Sequence, residues 1–196
     1  MRLLTNFAII VTIGLTIGAV SAQISLQQSQ RIGAIKVGPW SAWPFVGGVE
    51  VDPYTAARRT ANGTLHLGAA EGLAFEAFGD QSGETLRLEC HYEIDGITPP
   101  ARIWTLAECK AAYRENGELI IAPSGAPAAL HSANVVRFSD NSFQISVNGF
   151  PTSGNWMGTS GSGPFKMILR IYDTPITSNI GIVAPQMPQI TRKTCL

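Results

Sequence analysis

The chain has 196 residues, 14 basic and 14 acidic side chains that cancel, and only 14% charged residues. That length suits one well-buried domain better than two, and the absence of any basic run argues against nucleic acid, which demands a concentrated cationic surface. Twenty Gly and twelve Pro among so few charges fit a turn-rich β protein better than a helical bundle.

The N-terminus carries Arg2 and then an apolar run from Phe7 to Val20, interrupted by Thr12 and Thr16. Residues 1–22 read as a signal peptide or a transmembrane anchor, with Val20-Ser21-Ala22 offering small residues for cleavage before Gln23. The run alone is about 21 Å long as a helix, short of a hydrocarbon core near 30 Å; extending it from Leu3 to Ala22 reaches about 30 Å. Either reading exports the remainder, to the outer face of a bacterial cytoplasmic membrane if the leader is kept, or to the periplasm if it is cleaved.

Residues 23–48 read as a tether and an irregular entry segment, broken by Gly38-Pro39, Trp43-Pro44 and Gly47-Gly48. A domain is expected over 49–182. Asp52-Pro53 starts a short helix, Tyr54 to Ala61, that Asn62-Gly63 ends. Leu73 to Phe78 is a candidate strand, and Leu86 to Ile94 alternates apolar and polar residues, the mark of a strand with one buried face. Arg102 to Leu106 is extended. Thr105 with Glu108 makes a capping box for a second short helix bearing Leu106, Cys109 and Tyr113 on one face. Leu119 to Ala122 is a short strand, Val135 to Phe138 and Phe143 to Val147 form a hairpin, and Phe165 to Tyr172 is the last long strand. Residues 183–196 read as an irregular tail. The expected fold is mainly β: an antiparallel sandwich or jelly-roll-like domain with two short helices and an N-terminal apolar helix.

Export places Cys90, Cys109 and Cys195 in an oxidising compartment, where one pair can bridge and one thiol is left over. Cys90–Cys195 is the pairing that would tie down the Pro-rich tail.

The chain has no Gly-x-Ser-x-Gly elbow, no His-Glu-x-x-His, no phosphate loop and no dinucleotide glycine pattern, so nothing in it calls for a cofactor. Glu89, His91 and Glu93 share one face of a strand and are metal-like in type, yet they equally form its wet face. Arg102 and Trp104 stand two residues apart on a strand. Arg170 lies mid-strand among apolar residues and must find a carboxylate or carbonyls, because its guanidinium stays charged. With Asn155 and Trp156, these make a candidate ligand-contact set: an anion-binding arginine beside an indole wall.

Several blocks together resemble a known family. They are Gly38-Pro39-Trp40, Asp52-Pro53-Tyr54-Thr55, Leu65-His66-Leu67-Gly68 with Glu71-Gly72, Cys90-His91-Tyr92, Pro100-Ala101-Arg102-Ile103-Trp104-Thr105-Leu106, Gly154-Asn155-Trp156 and Leu169-Arg170-Ile171-Tyr172. In these the chain resembles the bacterial domain-of-unknown-function family 1214, in its small form with an N-terminal membrane segment. The resemblance implies a β-sandwich in the cell envelope, held by an uncleaved membrane helix, and a companion protein of family 1254. It supplies no reaction. The segment Ala107 to Arg114 departs from the family pattern in looking helical.

The expectation is therefore a non-enzymatic envelope module that binds a small ligand or a partner protein. A hydrolase or lyase built on Glu89, His91 and Glu93 is one alternative, and a purely structural envelope protein is the other.

Overall fold

A computed structural model describes residues 2–28, 34–44, 53, 67–68, 71–110, 129–175 and 185–195. Alternation sets its architecture. Leu86, Leu88, Cys90, Tyr92 and Ile94 are all buried, while the residues between them face outward. The same rule buries Phe143, Ile145 and Val147 on one stretch, and Phe165, Met167, Leu169 and Ile171 on another. These inward faces meet in a single apolar core between two sheets.

The ten strands are β1 (Ile35–Val37), β2 (Trp40–Ala42), β3 (Gly72–Ala77), β4 (Cys90–Gly96), β5 (Ile103–Lys110), β6 (Ala129–His131), β7 (Phe143–Asn148), β8 (Asn155–Gly158), β9 (Phe165–Tyr172) and β10 (Gln189–Cys195). One sheet has the order β1-β2-β3-β9-β5-β6, and the other β10-β4-β7-β8. All pairings are antiparallel except β7 with β8, which run parallel, so the second sheet is mixed. Across the interior, Trp104 of the first sheet packs on Phe143 of the second at 5.0 Å between ring centroids, and Tyr92 meets the edge of Phe165 at 5.9 Å. Each such pair adds roughly 0.5–1.5 kcal/mol beyond the area it buries.

Several expectations are corrected here. The second short helix does not start at its expected capping box: Thr105 to Cys109 belongs to β5, which pairs with β9 over its whole length and with β6 on its other side, and Tyr113 lies outside the described residues. Trp104 and Leu106 alternate into the core, and two-sided pairing outweighs the weak local helix preference. The other expected helix, 54–61, and the strand at 119–122 lie outside the described residues. Residues 135–138 are not a strand, although Phe138 N–H donates to Ser142 O at 2.9 Å to close a turn. The tail is not irregular throughout, because its end forms β10 along β4. Cys90 and Cys195 face each other in that pairing and are joined by a disulfide. The β10 segment is held at its start as well, where Trp40 Nε1–H donates to Pro188 O at 2.6 Å.

Gly72, at the start of β3, has φ +153°, and a Cβ there would run into Ile171 O of the neighbouring strand. Only glycine permits that approach.

The N-terminal helix α1 (Arg2–Gln28) continues past the expected end of the leader. Its segment Arg2–Ile24 is long and apolar enough to cross a membrane and is buried nowhere against the rest of the protein. At 23 residues it spans about 35 Å. The hydroxyls of Thr12, Thr16 and Ser21 turn back onto carbonyls of their own helix, which satisfies them without water.

Candidate functional site

Two connections cross from one sheet to the other at the same end of the sandwich: residues 97–102 from β4 to β5, and 132–142 from β6 to β7. Between them, flanked by Pro175 and Pro185, lies a cleft of about 1080 Å³. One wall is apolar, formed by Ile97, Pro99, Pro100 and Ala101. The polar lining comes chiefly from Arg102, Ser132, Arg137 and Asp140, and Trp104 closes the inner side. Concave, mainly apolar sites with a few convergent polar groups are the usual form of small-molecule sites.

Trp104 is 2% exposed, yet its indole N–H has no hydrogen-bond partner among the described residues. Leaving such a donor dry costs on the order of 1–3 kcal/mol. Over the same ring sits the Arg137 guanidinium, 5.8 Å from the centroid. Arg137 Nη1 donates to Asn141 Oδ1 at 2.8 Å, and Arg102 Nε lies 3.3 Å from Asp173 Oδ2. Asn141 and Asp173 are the two non-glycine residues with positive φ among the described residues, at 68° and 52°. Both short side chains tolerate the left-handed region, and both use it beside a cleft arginine. Asp140 Oδ1 accepts from the Ser142 hydroxyl at 2.6 Å and from Ser142 N–H at 3.0 Å. Those two bonds hold its carboxyl below the usual carboxylate range.

The sequence candidates separate. Arg102 and Trp104 line the cleft. Asn155 and Trp156 do not; each fastens backbone. Asn155 Oδ1 accepts from Val136 N–H at 2.7 Å, and its Nδ2 donates to Val136 O at 2.8 Å and Gln144 O at 2.9 Å. It thereby mounts the arm that presents Arg137. Trp156 Nε1–H donates to Asn148 Oδ1 at 3.2 Å, bracing the reversal that lets β8 run parallel to β7. Arg170 lies on the other side of the six-stranded sheet, turned away from the core and flanked in register by Ala74 of β3 and Thr105 of β5. It is half-buried there, with no ion pair among the described residues. Arg137 is the cleft residue that sequence reading passed over. Its one signal was a lone arginine between Val136 and Phe138, which stay 72% and 59% exposed and leave the arm with no other evident task.

The Glu89, His91 and Glu93 alternative does not assemble. Gly163 N–H donates to Glu89 Oε2 at 2.9 Å and Arg87 Nε contacts its Oε1 at 2.6 Å, which together hold that carboxyl below its ordinary range. Glu93 pairs with Lys193 Nζ at 2.9 Å. Both carboxylates are committed to other groups, and among the described residues no three His, Cys, Asp or Glu side chains converge as a metal would require. Of the remaining histidines, His131 is exposed on β6 and His66 lies outside the described residues.

No curated protein matches the sequence. Four solved chains do. The crystal structure of the VPA0106 protein from Vibrio parahaemolyticus aligns with a TM-score of 0.56 at 17% identity, over 72% of this chain and 35% of that one. An uncharacterized protein from Burkholderia cenocepacia aligns at 0.47 and 16% identity, over 89% of this chain and 48% of that one. The chain thus spans less than half the length of either, and the likeness to the Vibrio protein concerns the fold alone. Residues 71–176, which hold β3 to β9 and most of the cleft, match the profile described as "Protein of unknown function (DUF1214)". The protein belongs to domain-of-unknown-function family 1214.

Proposed function

We propose that this protein is a binding module of the bacterial cell envelope, carried outward by its N-terminal helix, that seats a small ligand in the cleft at the end of its sandwich. One observation carries the reading: Trp104, whose buried indole N–H finds no acceptor among the described residues, and Arg137, whose guanidinium meets no carboxylate among them, line the same apolar-walled cleft. A buried donor left unsatisfied calls for an explanation, and a ligand acceptor in the cleft supplies one for Trp104. A hydrolytic role for Glu89, His91 and Glu93 has no comparable support, since their carboxylates are engaged. A purely structural role leaves the cleft without a purpose.

The test is a screen of small neutral, anionic and cationic molecules against the full chain in lipid nanodiscs. It is read from the Trp104 indole N–H resonance and repeated with Ala133→Trp, which fills the cleft. Hits should move that resonance in the native chain and not in the variant. Hits that bind both forms equally, or no hits at all, overturn the reading.

The length and apolarity of Arg2–Ile24 support the export in this reading. A C-terminal alkaline phosphatase fusion should be active, and an inactive fusion would remove the envelope setting. The companion protein of family 1254 is the proposed partner, and co-purification from membranes checks it.

A further inference from the structure

Resting on that reading of the cleft, we infer that its ligand is a small amphipathic anion: one carboxylate or phosphate-type head on an apolar body. The charge pattern is the first reason. Arg87, Arg102, Lys166, Arg192 and Lys193 each contact a carboxylate within 3.3 Å. Arg137 contacts none among the described residues and, unlike Arg170, which also has no ion pair there, it lines the cleft. Its polar contact is the neutral amide of Asn141, and its guanidinium carbon sits over the Trp104 ring at 5.8 Å from the centroid. A guanidinium has five N–H donors and Asn141 takes one, so the others can meet the two oxygens of a carboxylate or phosphate.

The second reason is independent of charge. The Trp104 N–H can only donate, so whatever completes it must bring an acceptor. An anionic head satisfies the guanidinium directly and, once a small shift of the ring opens its N–H edge to the cleft, the indole as well, whereas a cation satisfies neither. Asp140, the acidic residue in the lining, already gives Oδ1 to Ser142 twice and stands on the exposed rim. For the ligand body, Ile97, Pro99 and Pro100 offer an apolar wall without donors. The three hydrogen bonds from Asn155 fix the Val136 backbone and thus the reach of Arg137, which makes Asn155 a positioning residue.

Four probes of nearly one shape separate the possibilities: benzoate, phenylphosphonate, benzamide and benzamidine. They are titrated into the full chain in nanodiscs, with affinity read from the Trp104 indole N–H shift, assigned through Trp104→Phe. Benzoate or phenylphosphonate should bind about tenfold more tightly than benzamide, the scale of a charge-assisted hydrogen bond, and benzamidine should not bind. The stronger of the two anions names the head group. Arg137→Gln should remove the preference and leave benzamide unchanged, and Arg137→Lys should restore part of it. Equal binding of benzamide and the anions, tighter binding of benzamidine, or an unchanged anion affinity in Arg137→Gln overturns the inference and leaves the cleft a ligand site. Failure of all four probes to move the Trp104 signal overturns the cleft reading itself. The comparison of probes on the native chain stands even where a variant folds poorly.

Discussion

Cys195→Ser removes the disulfide while leaving the core intact, because Cys195 is exposed and the buried partner Cys90 keeps its sulfur. The bridge closes a loop of 105 residues. In the chain-entropy account a closure of that size restricts the unfolded chain by about 4.7 kcal/mol, and native disulfides removed in practice cost about 2–5 kcal/mol. The folded state should change little, since β10 keeps its pairing with β4, the burial of Ile190 and the Trp40–Pro188 hydrogen bond. For a chain of this size each kcal/mol moves the midpoint by about 2–4 °C, so a fall of about 10–15 °C is expected. Thermal unfolding of the full chain in nanodiscs, followed by tryptophan fluorescence, measures it. Reduced native protein should behave like the variant, with thiol titration confirming two additional free thiols. Midpoints within about 2 °C of each other, with those two thiols demonstrably free, would falsify the claim that the bridge restrains the unfolded chain.

Three further outcomes follow from named contacts. Burial works against the charge of Asp80, but hydrogen bonds from the Ser82 hydroxyl and Glu84 N–H, with the charge of Arg192, outweigh it and hold the carboxyl below its ordinary range. Arg192 Nε is 3.0 Å from Asp80 Oδ2 but off hydrogen-bond angle, so this is a charge contact. A depressed folded pKa means that the unfolded chain binds more protons in acid; the stabilisation is therefore complete above the unfolded value near 3.9 and is lost as pH falls through the folded one. Asp80→Asn should cost about 2 kcal/mol at pH 7, and melting curves of the two proteins should draw together below about pH 4; a gap constant down to pH 3 would count against this assignment. Asn155→Ala should cost about 1–3 kcal/mol and speed hydrogen exchange at the Val136 amide; unchanged protection there refutes the mounting role of Asn155. Gly72→Ala should cost more than about 1 kcal/mol, and a denaturation midpoint equal to that of the native chain would show that β3 and β9 can part without penalty.

The strands with clean alternation were legible in the sequence because burial on one face leaves a period of two. Leu86 to Ile94 carries that period, and Leu86, Leu88, Cys90, Tyr92 and Ile94 are all buried, although the strand itself begins only at Cys90; Phe165 to Tyr172 is the long strand expected, with Ile168 buried out of phase. The family was legible too, through the blocks that fall within the matched residues 71–176, from Cys90-His91-Tyr92 to Leu169-Arg170-Ile171-Tyr172. Where composition was ambiguous, pairing decided: Thr105 to Cys109 has the spacing of a capped helix, and neighbours on both sides made it a strand. The short strands β1, β2 and β8 left no signature, for three or four residues cannot display a period.

The candidate site divides along the same line. From the sequence alone came an apolar leader, a neutral β domain, and residues of the right type to bind an anion: Arg102, Trp104, Asn155, Trp156 and Arg170. A residue's type is local, whereas convergence depends on which connections cross between the sheets and at which end. The fold sent Arg170 to the outer face, turned Asn155 and Trp156 onto backbone, and brought Arg137 over Trp104 across 33 residues of chain. Alternation along a strand fixes which side a residue faces. Only the packing of the two sheets decides what stands opposite it.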